Sequence, residues 1–288
     1  MKKLAVLTFV ALSFLSCKET SKEETQAILS ESNGKINNVS IIIDDNLWNG
    51  EIGDSIRKKF AAPVDGLPQE EPLFTLNQYP TKVFEGFVRK SRNIIVVKKG
   101  KEAAFVSNTN KFAKPQNIFF ISGTDTEDVL SAIEEKSAEI IKTIKASEII
   151  ENQIRMKKSL VSDEQLQKKF GISLQIGFGY KYDMVKDNFV WLRKEFTSGY
   201  NSILVYQIPI DKVENGGDII TNITTMRDEI GKANIHGTLP NTWMITEAAY
   251  APYLFDVTVD NKKTYLTKGT WELKNDFMAG PFVNYAIK

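Results

Sequence analysis

The apolar residues of this chain change their spacing near residues 159–162, and that change limits the folds open to it. Before that point, short β-branched runs alternate with helical stripes. Val39-Ser40-Ile41-Ile42-Ile43, Ile94 to Val97 and Ile118 to Ile121 are apolar runs bounded by polar residues, the pattern of buried strands. Pro72 to Pro80 reads as a further strand between two prolines. Ile52, Ile56 and Phe60 recur at helical spacing, and Val83, Phe84, Phe87 and Val88 suggest a short helix. Thr124-Asp125-Thr126-Glu127 has the capping-box pattern, in which the threonine oxygen accepts from the backbone N–H three residues on and the glutamate reaches back. Val129, Ile133, Ile140 and Ile144 then form the stripe of the longest helix, running toward Lys158. Ser162 with Gln165 opens another helix, which Gly171 can end in the left-handed conformation.

Beyond that point alternation dominates. Ile172 to Val185 and Phe189 to Phe196 flank Lys186-Asp187-Asn188, a hairpin signal, and Ile203 to Ile208 adds a strand. Ile219, Ile220, Ile223, Met226, Arg227 and Ile230 mark a helix ending near Gly231. Trp243 to Ala248, Leu254 to Val259, Thr264 to Leu273 and Phe282 to Ile287 are strand candidates, with Asp260-Asn261-Lys262-Lys263 as a turn. The expected fold is therefore α+β, with mixed or antiparallel sheets and helices packed on one face. Each half contains strand, helix and strand in order, which leaves a duplication of split βαβ units open. The halves are placed at residues 36–160, an α/β subdomain, and 161–288, rich in antiparallel strands.

Composition narrows the function classes. Among 288 residues, 37 are basic and 36 acidic, so there is no basic excess of the kind nucleic-acid binding requires. A single cysteine, Cys17, excludes an intrachain disulfide framework and a multi-cysteine zinc site; a single histidine, His236, excludes a multi-histidine one. A serine-hydrolase triad would have to pass through His236, and no G-x-S-x-G elbow exists to meet it. No pattern calls for a cofactor.

Met1-Lys2-Lys3 is a basic start, Leu4 to Leu15 an apolar run too short to span a bilayer, and Ser16 a small residue before Cys17. This layout resembles a bacterial lipoprotein signal. The resemblance implies removal of residues 1–16, lipidation of Cys17 and attachment of the mature chain to a membrane. Phe14 and Leu15 depart from the usual residues at their positions. Residues 17–35, polar and charged, read as a tether. Ser21-Lys22-Glu23-Glu24 looks like a surface-export signal, although in that group it usually sits closer to the cysteine.

Four further residues stand out as surface or cleft candidates. Asp44 and Asp45, followed by Glu51 and Asp54, form the densest acidic group. They could hold a divalent cation, or end a strand and complement a helix N-terminus. Their spacing matches no calcium loop. Trp48 beside Gly50 is either an exposed platform or a lid over the core. His236, in "NIHGTLPN", is either a general base or a histidine closing a helix. Gly177-Phe178-Gly179-Tyr180 lies within a strand pattern and is no phosphate loop. Asp54-Ser55-Ile56 resembles a short bacterial O-glycosylation sequence, but sits on an expected helix.

"GTWELKNDFMAGPFVNY" (Gly269 to Tyr285) and "DDNLWNGEIGDSIR" (Asp44 to Arg57), with the lipoprotein start, carry a second resemblance. It is to a family of exported lipoproteins catalogued as a domain of unknown function, numbered 4837, and would cover nearly the whole mature chain. It implies an envelope location and supplies no activity or catalytic residue. The expectation is a lipid-anchored component of a Gram-negative envelope, at the outer membrane, that binds a protein or glycan partner without catalysis. The alternative is an envelope hydrolase acting on glycan or peptide through acidic residues around Asp44 and Asp45, with His236. Convergence of those three in one pocket would favour the enzyme; a flat exposed aromatic patch would favour binding.

Overall fold

The computed structural model describes residues 29–197 and 199–288. Cys17, the signal segment and Ser21-Lys22-Glu23-Glu24 lie outside the described residues. In the first half, β1 (Asn38–Ile42), β2 (Thr75–Tyr79), β3 (Asn93–Lys99), β4 (Ala104–Thr109) and β5 (Asn117–Gly123) form one sheet in the order β2-β1-β3-β5-β4. The β1–β2, β1–β3 and β3–β5 pairs are parallel; only β4 runs antiparallel, at the edge. Parallel strands are covered on both faces, which is why they read as unbroken apolar runs.

One face of this sheet packs under α2 (Glu51–Phe60) and α4 (Thr126–Met156). Ile41, Ile95, Val97, Phe119 and Ile121 meet Ile52, Ile56 and Phe60 of α2 and Val129, Ile133, Ile140 and Ile144 of α4 in one core. The four α4 residues are the stripe expected from the sequence, and each is fully buried. The opposite face, with Ile42, Ile94, Val96 and Ile118, is closed by Phe84, Val88 and Phe112. Two short helices, α1 (Asp45–Trp48) and α3 (Gly86–Arg89), complete this half.

The start of α4 differs from the expected capping box by one residue. Asp125, not Thr124, is the N-cap, and its carboxylate accepts from the Asp128 N–H at 2.9 Å. Asp128 reaches back to accept from the Thr124 N–H at 2.9 Å and its hydroxyl at 2.6 Å. These bonds hold the Asp128 carboxyl below its ordinary value. The logic is that of the capping box, with aspartates in both roles.

The second half opens with β6 (Leu160–Val161) and α5 (Glu164–Phe170), which Gly171 ends at φ +65° as expected. β7 (Ile176–Gly177) pairs with β6. The first hairpin arm is shorter than its alternation suggests: β8 spans only Lys181–Lys186, because Gly179, at φ +94°, breaks the preceding stretch. β8, β9 (Phe189–Phe196) and β10 (Gly199–Tyr206) form an antiparallel sheet.

The short α6 (Asp211–Glu214) and then α7 (Ile219–Asn234) lead to β11 (Met244–Thr246), β12 (Tyr253–Val259), β13 (Lys262–Leu273) and β14 (Ala279–Ile287). β13 is central to this last sheet: β12 and β11 pair with its first and last residues along one side, and β14 pairs with it along the other. Helix α7 does not stop at Gly231. A Cβ there would lie 2.2 Å from the Met244 carbonyl oxygen, so the glycine lets α7 press onto β11. The halves have unlike sheets, one largely parallel and one antiparallel, so they are not split-βαβ copies of each other.

The expected tether also ends earlier than residue 35. Glu31 bridges Lys114 and Asn33 bridges Ser91, so this strip lies along the folded body. A buried ion pair fixes it. Arg92 Nε and Nη2 reach the Glu148 carboxylate at 2.6 and 3.1 Å, and each side chain is 2 % exposed. Arg92 also donates to the carbonyls of Gly34 at 3.2 Å and Lys35 at 2.9 Å. Glu148 accepts further from the Asn37 N–H at 2.7 Å and the Asn93 amide at 2.6 Å. Burial pushes the Glu148 carboxyl up, but these donors outweigh it and hold it below its ordinary value.

Candidate functional site

The order β2-β1-β3 reverses direction across β1, and open α/β sheets bind ligands beyond the carboxyl ends of strands at such a point. Asp44 and Asp45 follow β1 there. Each is engaged by its own surroundings: Asp44 Oδ1 accepts from the Thr81 N–H at 3.1 Å and from the Thr81 hydroxyl, and Asp45 accepts from the Gln78 amide at 2.9 Å. Lys99, at the end of β3, donates to the Thr126 hydroxyl at 2.8 Å. Among the described residues, no group of three His, Cys, Asp or Glu side chains is arranged to hold a metal.

Trp48 packs at the margin of the N-terminal core, with the Arg57 guanidinium 4.5 Å from its ring centre, so it acts as a lid. Ile56, the last residue of the glycosylation-like triplet, is fully buried in α2. His236 lies in the other half, exposed, just after α7. Its Nε2 is 2.9 Å from the Lys232 carbonyl, and its backbone bridges Trp243. Asp44 and Asp45 follow β1 and His236 follows α7, and they share no hydrogen-bond partner among the described residues. A hollow of about 180 Å³ beside Val96, Val106 and Phe120 includes none of them, nor does one of about 230 Å³ beside Asp183, Arg193 and Glu195.

Two carboxyl groups do meet; of these, Glu247 was a candidate to orient His236, and it bonds elsewhere. Glu247 is held down by the Ala249 N–H at 2.8 Å and by its bond with Glu272; Glu272 is pushed up by that same bond.

The most unusual surface is the outer face of the last sheet. Register places Tyr253, Lys268 and Val283 in one row, Phe255, Leu266 and Tyr285 in the next, and Val257, Thr264 and Ile287 in a third. Tyr253 and Phe255 stack at 6.5 Å, nearly parallel, and the Lys268 ammonium lies 5.2 Å from the Phe255 ring centre. Tyr253, Val283, Tyr285 and Ile287 are 47–56 % exposed. The inner face carries Thr267 and Asn284 beside Tyr265, Leu254 and Ala286, which pack against α7, while Asp256 at its margin is exposed. The outer face is the more apolar of the two; its β14 edge and Tyr253 meet solvent, while Thr264 is fully buried and Gly66 of the first half lies against Lys268. The sequence held the signal: in Tyr253–Val259 and Phe282–Ile287 the odd positions are uniformly apolar, and only the choice of face was missing.

Residues 159–288 match the family model described as Domain of unknown function (DUF4837). This half resembles DUF4837, as the Gly269–Tyr285 motif suggested. The DUF4837 match contains the whole outer-face lattice and His236. It does not extend over the mature chain: residues 32–157, with the Asp44–Arg57 motif, match a different model, described as Domain of unknown function (DUF8532). No curated protein and no solved structure matches the chain.

Proposed function

We propose that this protein is a non-enzymatic docking component of a bacterial envelope, held to the membrane by lipid on Cys17. It engages a protein partner through the outer face of β12, β13 and β14. The apolar patterning of that face supports this reading. Seven of the nine lattice positions are apolar, and four of these, Tyr253, Val283, Tyr285 and Ile287, are about half exposed. Exposed apolar surfaces of this kind mark interaction sites.

The chemistry favours a protein over a glycan. Sugar recognition needs polar groups beside the rings, and here the aromatics are interleaved with Val257, Leu266, Val283 and Ile287. Thr264 and Lys268 are the only polar lattice members. Such a face suits a second apolar surface, with Tyr253 and Tyr285 as anchors.

The test is crosslinking in cells followed by mass spectrometry, comparing the native protein with the double variant Val283→Asp, Tyr285→Asp. We expect the variant to lose the crosslinked partner while its melting temperature is unchanged, since both side chains point to solvent. Retention of the same partner at the same yield would sink the docking surface.

A further inference from the structure

The inner face of the same sheet carries a second feature, independent of the docking face. Among the described residues, three buried side-chain polar atoms have no hydrogen-bond partner: Arg227 Nε, Thr267 Oγ1 and Asn284 Nδ2. Buried polar groups are almost always bonded, so each exception needs an explanation. Register and one ring contact put them at neighbouring rows of one face. Thr267 of β13 stands directly opposite Asn284 of β14. Phe282, two residues before Asn284 on the same face, carries the Arg227 guanidinium 3.6 Å from its ring centre.

The surroundings hold the guanidinium in place without a direct ion pair among the described residues. Phe282 pairs with Gly269, where an added Cβ would lie 2.9 Å from the Phe282 ring; the missing side chain leaves the ring its place under Arg227. Arg227 is 7 % exposed and forms no ion pair among the described residues. Its neighbour Asp228 is turned to the Thr246 N–H and hydroxyl, at 2.7 and 2.8 Å. The phenol of Tyr206, on β10, lies near the guanidinium, and burial pushes its pKa up, so it supplies no negative charge at neutral pH. Asp228 acts on the guanidinium only through space, and a buried cation without a hydrogen-bonded counter-charge is costly. All three orphan groups can donate, and a guanidinium is suited to binding oxyanions. β14 pairs only with β13, so the site lies beneath the open edge of the sheet.

We propose that Arg227, Thr267 and Asn284 form a binding site for a small oxyanion, a carboxylate or phosphate group, between α7 and the β13–β14 hairpin. The anion supplies the acceptor that the three donors lack, and Phe282 fixes the plane of the guanidinium.

The experiment is thermal unfolding of the full-length protein titrated with sodium phosphate and, separately, with sodium acetate, ionic strength being held constant with chloride. A saturable rise in melting temperature is expected. A response to phosphate alone identifies a phosphate group, to acetate alone a carboxylate, and to both a general oxyanion site. No saturable response to either overturns the proposal and leaves internal water as the partner of the three atoms. Arg227→Met should abolish the response and Arg227→Lys should restore part of it. Thr267→Val, which keeps shape and leaves the arginine in place, should weaken the apparent affinity about tenfold, the worth of one charge-assisted bond. A native-like response in Thr267→Val and in Arg227→Met, or in Thr267→Val alone should Arg227→Met not fold, would overturn the assignment.

Discussion

Glu148 shows how much can rest on a residue that composition makes inconspicuous, one carboxylate among 36 acidic side chains. Removing its charge by Glu148→Gln leaves Arg92 buried with a weaker partner. Breaking such a pair costs about 3–5 kcal/mol. For domains of 150–250 residues that corresponds to a fall in melting temperature of roughly 6–20 °C. Replacing both members by Arg92→Met with Glu148→Leu should recover most of the loss. The pH dependence follows from the depressed carboxyl. Its stabilisation is complete above the ordinary value of 4.5 and is lost as pH falls through the lower folded value. The difference between the native protein and the Glu148→Gln variant in a thermal melt should therefore be constant near neutrality and shrink on acidification. A difference that grows with acid would contradict this account. Such a network is not legible from sequence, because Arg92 and Glu148 are 56 residues apart and neither position advertises burial.

At the scale of elements, the strands and helices with strong apolar periods were legible: β1, β3, β5, α4 and the β12–β13 hairpin lie where spacing puts them. The departures have local causes. β4 was missed because only Phe105 of its alternating residues turns toward the core, stacking on Phe119 at 6.4 Å, while Val106 faces solvent. α7 runs past Gly231 because the glycine serves a close contact, which no local pattern reveals. The start of α4 slipped by a residue because threonine and aspartate are both good caps and stand side by side. That last point can be measured. Asp125→Ala should destabilise by about 0.5–2 kcal/mol in urea unfolding, the usual worth of an N-cap. Thr124→Ala, which loses only the hydroxyl donated to Asp128, should cost less. An equal or reversed order would return the cap to Thr124. The outer lattice was half legible, since alternation gave the two faces but not which of them meets water.

For the molecule as a whole, the docking proposal rests on the half-exposed apolar residues Tyr253, Val283, Tyr285 and Ile287. Attachment through Cys17 is argued from the layout of the first segment, and no helix among the described residues is long and apolar enough to cross a membrane. Cys17→Ala should move the protein out of the membrane fraction on cell fractionation. If the variant stayed with the membrane, the lipid could not be what holds it there. The double substitution on the outer face should leave fractionation unchanged while removing the partner, which separates anchoring from docking.

The strip from Glu31 to Asn37 has a mechanical meaning. In a protein held at one end by lipid and at the other by a partner, tension enters the folded body along this strip. It meets first the two carbonyls gripped by Arg92, and passes through Glu148 into the longest helix. The strand that follows, β1, lies between two parallel neighbours, so a pull along it loads all its hydrogen bonds at once in shear instead of peeling them singly. Under the anchoring proposed above, the ion pair would work as a strain relief ahead of the first strand of the core.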